Sequence, residues 1–137
     1  MFKLLGDRAV STYPIEHVIG TDEEVFTATQ IIKVASGVAT VCDATSAGSQ
    51  MYIVIADAVG DGVTANIPVM RLRRTMRFSS MSTAQVASSV IGSKVTIHTT
   101  GLQPTATTSS GVFEIEYTDG AATSSYVEGH FDGSGVL

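Results

Sequence analysis

The sequence predicts an all-β protein, and three observations support that fold class. Turn-forming residues recur roughly every eight to twelve positions, a spacing typical of sandwiches and barrels. The segments between the turns alternate between apolar and polar residues, or are apolar throughout, as strands do. Serine and threonine, with 15 and 17 copies, replace charged residues, which make up only 15% of the 137 positions. We therefore expect a small β-barrel or tulip-like domain with one short helix.

The length fits a single domain. We assign the β-barrel domain to residues 15–137 and an N-terminal arm to residues 1–14, which lack periodicity and end at Tyr13–Pro14. Such an arm lies on the domain or on a neighbouring subunit, and a frayed terminus is the alternative. Cys42, the one cysteine, predicts a small apolar core residue rather than an internal disulfide. We predict no export signal and no membrane span.

Glycine-containing pairs and triplets mark the turns that divide the chain into strands. The predicted turns are at Gly20, Ser36–Gly37, Ala47–Gly48, Gly60–Gly62, Thr100–Gly101, Ser110–Gly111, Asp119–Gly120 and Asp132–Gly133.

Two segments give the clearest strand patterns. Met51–Asp57 is apolar at nearly every position, which predicts a central strand covered on both faces. Val112–Thr118 alternates, so Phe113, Ile115 and Tyr117 are predicted to face the core while the intervening glutamates face water or a partner.

Two further segments have strand character. In Lys94–His98 the alternation directs Val95 and Ile97 inward. Asn66–Phe78 is a long apolar and basic run, in which Pro68 favours the start of a strand or an edge strand because proline has no amide hydrogen.

One helix is predicted, at about Thr83–Ile91. Ser82 and Gln85 have the spacing of a capping box, and Gly92 can end the helix. We expect it to pack over an open end of the barrel.

The chain also contains a degenerate repeat. The segment Gly37–Gly48 followed by 51–57 resembles Gly101–Gly111 followed by 112–118. In both copies a strand reaches a glycine turn, the chain returns as a short Thr-rich strand, and a second turn leads into a strongly apolar strand ending in aspartate. This pattern indicates a barrel built from two similar halves.

Catalysis requires titratable groups that converge, and the sequence gives little sign of convergence. His17, His98 and His130 fall in different predicted strands without the spacing of zinc ligands. Glu114 and Glu116 share one strand face, and we interpret them as solvated or partner-facing rather than as a catalytic pair. We therefore predict no enzymatic activity, no metal site and no cofactor.

Charge is separated along the chain. Residues 67–99 contain five basic and no acidic side chains, whereas the flanking segments each carry a net charge of −5. Four of these bases, Arg71, Arg73, Arg74 and Arg77, lie within seven positions. The overall acidity and the scarcity of aromatic residues beside them argue against nucleic acid. We predict that these arginines form a protein interface, since arginine is enriched at such surfaces; a solvated strand is the alternative.

The order of these segments resembles the head-decoration, or cement, proteins of tailed bacteriophages. The resemblance covers most of residues 18–132 and is a pattern of strands and turns rather than a signature motif. It is carried by Gly20–Gly37, Tyr52–Asp57, Asp61–Gly62, Ile67–Val69, Ser89–Ile97, Gly101, Phe113–Tyr117 and Val127–Phe131.

The resemblance implies a barrel or tulip-like domain bound to the outside of an icosahedral head. Such proteins often sit as homotrimers that clamp neighbouring subunits of the major capsid protein, so the expected location is the capsid outer surface, after assembly in the host cytoplasm. Neither nucleic acid nor a membrane is an expected partner. Two alternatives are another virion component, such as a head-fibre base or tail-tube protein, and a small ligand-binding β-barrel.

Overall fold

The computed structural model describes residues 1–9, 13–43 and 49–137; the predicted turn at Ala47–Gly48 lies outside these ranges. The described part confirms the all-β prediction, and every strand pair in its sheets is antiparallel. The strands are β1 (Lys3–Asp7), β2 (Glu16–Ile19), β3 (Val25–Phe26), β4 (Ile31–Ala35), β5 (Val38–Val41), β6 (Gln50–Val54), β7 (Ala58–Val59), β8 (Ala65–Arg71), β9 (Met76–Met81), β10 (Lys94–Val95), β11 (Phe113–Thr118) and β12 (Tyr126–Phe131). No helix in these ranges is long and apolar enough to cross a membrane.

Five strands form a curled sheet, in the order β2-β8-β6-β4-β5, which we call the barrel sheet. Its two edges meet where Gly20 and Ala39 form an isolated parallel bridge and the Thr21 amide donates to the Ala39 carbonyl at 3.0 Å. This contact brings the sheet back onto itself. The apolar cluster on its concave side includes Ile32, Tyr52, Val54, Ile67 and Val69.

The strands β3 and β7 form a separate two-stranded ribbon. Its inner residues Phe26 and Ala58 pack on the cluster of the barrel sheet, and Phe26 is fully buried. The backbones of the ribbon and the end of β2 touch at Gly60, where a Cβ atom would lie 2.1 Å from the Thr21 carbonyl oxygen. Only glycine permits this approach.

The second five-stranded sheet has the order β1-β9-β12-β11-β10, and we call it the outer sheet. Its inner face carries four fully buried phenylalanines, Phe2, Phe78, Phe113 and Phe131, with ring centroids 4.9 to 6.5 Å apart. These rings belong to one core cluster with Ile31, Met51 and Ile53 of the barrel sheet, among other residues. The barrel sheet is therefore apolar on both faces.

The prediction of a doubly covered central strand is confirmed by β6, which lies in the middle of the barrel sheet. Met51 and Ile53 belong to the core shared with the outer sheet, whereas Tyr52 and Val54 belong to the enclosed cluster. The strand ends at Val54, three residues earlier than predicted.

The repeat is visible in the strand pairing. In the first copy, β4 pairs with β5 on one side and with β6 on the other. In the second, the segment 94–97 pairs with β11 and also bonds to the segment 104–107, through the Ile97–Pro104 bridge and the Thr96 amide to the Thr107 carbonyl at 2.9 Å. In each copy the first segment therefore lies between two partners, although 104–107 makes only an isolated bridge and two further bonds and is not a strand. The copies lie in different sheets, so the prediction that they are the two halves of one barrel is wrong.

The predicted helix at Thr83–Ile91 is wrong; the described structure has only a 3₁₀ helix, Ser88–Val90, in this segment. The residues of the proposed capping box bond elsewhere. The Gln85 side-chain amide donates to the Gly120 carbonyl at 2.9 Å, and the Ser82 hydroxyl accepts from the Ser125 amide at 2.9 Å. Serine-rich segments form weak helices, so these long-range bonds determine the conformation.

We predicted an arm over residues 1–14, but residues 1–9 are part of the outer sheet and of the core. Lys3–Asp7 forms the strand β1 paired with β9, and Phe2 is 1% exposed in the core. An apolar aromatic residue next to a strand edge gains more from burial than from remaining in water. Residues 10–12 of the predicted arm lie outside the described ranges.

The run Asn66–Phe78 forms two strands rather than one. After β8 the chain turns at residues 72–75 and enters the outer sheet as β9. Pro68 is not on an edge strand, because β8 lies between β2 and β6. It lies just beyond the β6 ladder, which stops at the pair Val54–Val69.

Candidate functional site

A network of ion pairs covers part of the outward face of the outer sheet. Arg77 on β9 donates from Nε to Glu116 Oε2 at 3.2 Å and from Nη2 to Glu128 Oε2 at 3.3 Å. Arg8 reaches the same glutamate, with its Nη2 3.0 Å from Glu116 Oε1. Glu116 on β11 therefore connects the beginning of the chain to the centre of the sheet.

A β-bulge in β11 lies at Glu116. The register with β12 shifts between Ile115 and Tyr117, so that Glu116 is an extra residue on the outward side. Beyond the bulge the alternation predicted from the sequence fails. Phe113 and Ile115 are buried as predicted, but Tyr117 is 46% exposed, so the prediction that it faces the core is wrong.

At the end of β12, Asp132 lies between two cations. Arg74 Nε is 2.7 Å from Asp132 Oδ1, and Lys94 Nζ is 3.0 Å from Oδ2. The hydrogen bond from Arg74, followed by that from Lys94, lowers the pKa of this carboxyl group below its ordinary value. Asp132 therefore joins the turn after β8 to the edge strand β10.

His130 lies between the two glutamates of β11. Its Nε2 is 3.3 Å from Glu114 Oε2, and its Nδ1 is 3.5 Å from Glu116 Oε1. Glu114 and His130 are directly opposed in the strand register, and Asp132 follows two residues later on the same face. One ligand atom from each of Glu114, His130 and Asp132 lies within 4.8 Å of the others.

The spacing of histidine and cysteine along the sequence does not predict this group, because its members come from two strands. The available signal was a pair of alternating motifs, Glu-x-Glu in β11 and His-x-Asp in β12. Each motif places two polar side chains on one face. Only the pairing of β11 with β12 brings them together. Glu114 and Glu116 are both half-buried, so neither is a freely solvated residue.

The four arginines predicted to form an interface do not share one surface function. Arg74 and Arg77 bind the carboxylates described above. Arg71 donates from Nη2 to the Gly135 carbonyl at 2.9 Å, and its guanidinium lies 5.3 Å from the centre of the Tyr52 ring. Arg74 also donates from Nη2 to the Gly133 carbonyl at 3.2 Å. Two of the four therefore hold the C-terminal segment against the domain.

Arg73 differs from the other three. Its side chain makes no hydrogen bond or ion pair within the described ranges, and it lines a surface pocket of about 270 Å³ with Tyr13, Glu16 and Arg71. Reversing the charge of all four arginines would break internal contacts as well as any interface. Arg73 alone tests the predicted interface without disturbing an ion pair.

The outer surface of the ribbon is apolar. Val25 and Val59 are directly opposed in the β3–β7 pair and are 62% and 54% exposed. Val63, after β7, is 77% exposed. Single exposed apolar residues are common in proteins, but two opposed β-branched residues on a ribbon form a continuous apolar surface. We call Val25 and Val59 the valine patch.

An apolar groove of about 500 Å³ opens between the N-terminal strand and the barrel sheet. It is lined mainly by Phe2, Leu4, Ile53, Ile55 and Met70. The groove offers shape and apolar contact but few polar groups to orient a reacting molecule, which suits binding better than catalysis.

No protein-family model, curated protein or solved structure matches the chain.

Proposed function

We propose that this chain is a non-enzymatic structural protein that binds the outside of an icosahedral phage head and clamps neighbouring subunits of the capsid protein. The exposed valine patch is the observation that carries the binding role. The resemblance of the strand and turn order to phage decoration proteins supports the choice of a phage head, and it implies a homotrimer.

The packing of the ribbon supports a role in binding a partner protein. Its inner residue Phe26 is fully buried and fixes the ribbon on the barrel sheet, whereas Val25 and Val59 on its outer side have no cover within the described chain. A rigid, β-branched apolar surface loses little side-chain entropy on binding. The ribbon therefore has the properties of a preformed contact surface.

The charge around the valine patch indicates the kind of surface that it fits. Residues 20–30 and 55–66 contain five carboxylates and no lysine or arginine. Four of the five are exposed, namely Asp22, Glu23, Asp57 and Asp61. Complementary charge favours a partner whose apolar centre has a basic rim. We propose that the capsid surface provides such a site.

The experiment is co-sedimentation with empty icosahedral shells assembled from tailed-phage capsid proteins, together with the solution mass of the free protein by light scattering. The test variant is Val25→Thr combined with Val59→Thr, which keeps the β-branched shape and removes apolar area. The control is Ile91→Thr, at a residue that is 46% exposed outside the ribbon.

We expect the unmodified protein to bind a shell, the double variant to lose at least about tenfold in affinity, and the control to bind normally. A tenfold loss corresponds to about 1.4 kcal/mol, which is consistent with removing two apolar contacts. Failure to bind any shell would contradict the phage-head proposal. Normal binding by the double variant would contradict the role of the valine patch.

The groove beside β1 favours a second candidate, a module that binds a small apolar ligand. Its lining by Phe2, Leu4 and Ile53 fits a hydrocarbon chain rather than a charged metabolite. A thermal-shift titration with dodecanoate tests it, because a ligand that binds only the folded state raises the melting temperature. An increase that Leu4→Trp abolishes would support this candidate, and an unchanged melting temperature would remove its support.

A further inference from the structure

We propose that Glu114, His130 and Asp132 form a binding site for a divalent transition-metal ion such as Zn²⁺. Three protein ligands, one imidazole and two carboxylates, suit a borderline ion of this kind. They come from two directly paired strands of the outer sheet, so the backbone that carries them is already fixed before any ion binds. The site is independent of the valine patch and of the proposed attachment to a capsid.

The surroundings of His130 provide a second reason for a cation at this position. Both ring nitrogens face carboxylate oxygens, of Glu114 at 3.3 Å and of Glu116 at 3.5 Å. A neutral imidazole has one N–H donor and one lone pair, so one of these two contacts directs a lone pair towards a carboxylate. A proton or a metal ion on that nitrogen converts the repulsion into attraction.

The second nitrogen has the environment of a metal-binding histidine. His130 Nδ1 is buried and has no hydrogen-bond partner within accepted geometry in the described structure. With a metal ion on Nε2, the ring hydrogen is on Nδ1, and Glu116 Oε1, which lies 3.5 Å away, can accept it once the ring turns into line. Metal-binding histidines commonly donate their other N–H to a carboxylate in this way, which fixes the ring and increases its basicity. Arg8 and Arg77 in turn hold Glu116 in place.

The ammonium group of Lys94 competes with a metal ion for Asp132. Lys94 Nζ lies 3.0 Å from Asp132 Oδ2, and its side chain is 42% exposed. A metal ion that takes this carboxylate oxygen must displace the ammonium group into water, where a lysine head is well solvated. We therefore expect a modest affinity, and we expect that removing Lys94 increases it. Arg74 keeps its bond to the other oxygen, Oδ1, and continues to orient Asp132.

A bound ion would join β11 to the end of β12. The C-terminal segment that follows Asp132 contributes the buried residue Val136 to the core and bonds to residues 72–74. Binding of a ligand to the folded state alone stabilises that state. Metal binding would therefore raise the melting temperature and protect the end of β12 from local opening.

The test is a calorimetric titration of the full chain with Zn²⁺ and with Co²⁺, whose absorption spectrum reports the ligand geometry. We expect one ion per chain. His130→Gln and Glu114→Gln should each weaken binding by at least about tenfold, in line with the loss of a ligand or its supporting group. Glu128→Gln is the matched control, because Glu128 lies on the same face and pairs with Arg77 but is not one of the three proposed ligands. The affinity of this variant for the metal ion should equal that of the unmodified protein.

The decisive variant is Lys94→Gln, which we expect to bind the metal ion more tightly than the unmodified protein. Misfolding cannot produce such a gain in affinity. Absence of wild-type binding at millimolar ion would overturn the proposal, as would full binding by His130→Gln. Unchanged affinity in Lys94→Gln would also overturn it, because the ion would then not use Asp132. Shell binding is measured separately, so failure of either proposal leaves the other interpretable.

Discussion

The barrel sheet and the outer sheet are both five-stranded and antiparallel, but they differ in the face that points away from their shared core. The barrel sheet buries this face, whereas the outer sheet exposes it. The barrel sheet is covered on one side by the outer sheet and encloses its own cluster with the ribbon on the other, so Met51 and Tyr52 are buried on opposite faces of one strand. The outer sheet has apolar rings inside and ion pairs outside. Because the barrel sheet closes on its own cluster and the ribbon covers it, its strands must be apolar on both faces.

The largest effect in this comparison is expected at the core of the outer sheet. Phe131 is fully buried, and its ring lies 4.9 to 5.4 Å from those of Phe2, Phe78 and Phe113. Phe131→Ala should lower the free energy of unfolding by about 3–5 kcal/mol, since it removes apolar area and leaves a cavity. Urea denaturation measures the change. Phe131→Leu serves as the milder variant if the alanine protein does not fold, and a loss below about 1 kcal/mol in Phe131→Ala would contradict the packing described.

The next effect concerns the ribbon. Phe26→Ala should lower the free energy of unfolding by about 3 kcal/mol, because this ring is the main contact of the ribbon with the enclosed cluster. We also expect faster hydrogen exchange at the Glu23 and Gly60 amides, which bond to the Gly60 and Glu24 carbonyls across the ribbon. Val25→Thr, on the exposed side of the same strand, is the control. Equal exchange rates in the Phe26→Ala and unmodified proteins would show that the ribbon does not depend on this contact.

A smaller effect is expected on the outward face of the outer sheet. Glu116→Gln removes the charge that binds Arg8 and Arg77, and we expect a loss of about 0.5–1 kcal/mol, as for partly exposed ion pairs. The loss should shrink at high salt. Glu23→Gln, at an exposed residue outside the network, should change stability less. Thermal unfolding of both variants at two salt concentrations tests this, and a salt-independent loss would contradict an electrostatic origin.

The smallest effect is a pH dependence at the turn after the ribbon. Hydrogen bonds from the Thr64 and Val63 amides hold the pKa of Asp61 below its ordinary value of 3.8. Because the folded pKa is depressed, the stabilisation is present above the unfolded pKa and is lost as the pH falls through the folded pKa. NMR titration of the Asp61 carboxyl carbon should give a midpoint below 3.8. A midpoint at or above that value would contradict the turn geometry, and Asp61→Asn should remove the transition.

The local alternation was a reliable guide where a strand continues undisturbed. It correctly assigned Val95, Ile97, Phe113 and Ile115 to the core. The turn at Ser36–Gly37 is also confirmed, since both residues have positive φ, 53° and 81°, as a two-residue hairpin turn requires. Such features depend on neighbouring residues, which the sequence displays directly.

The sequence by itself determined the all-β class, the doubly covered strand β6 and the repeated order of segments and turns, because period and turn chemistry are local properties. Only the tertiary structure decided the bulge that turns Tyr117 outward, the hydrogen bonds that replace the helix after Ser82, and the partners of the four arginines. It also decided that Glu114, His130 and Asp132 meet. These features depend on which strands pair and in which register, and residues far apart in the chain establish that pairing.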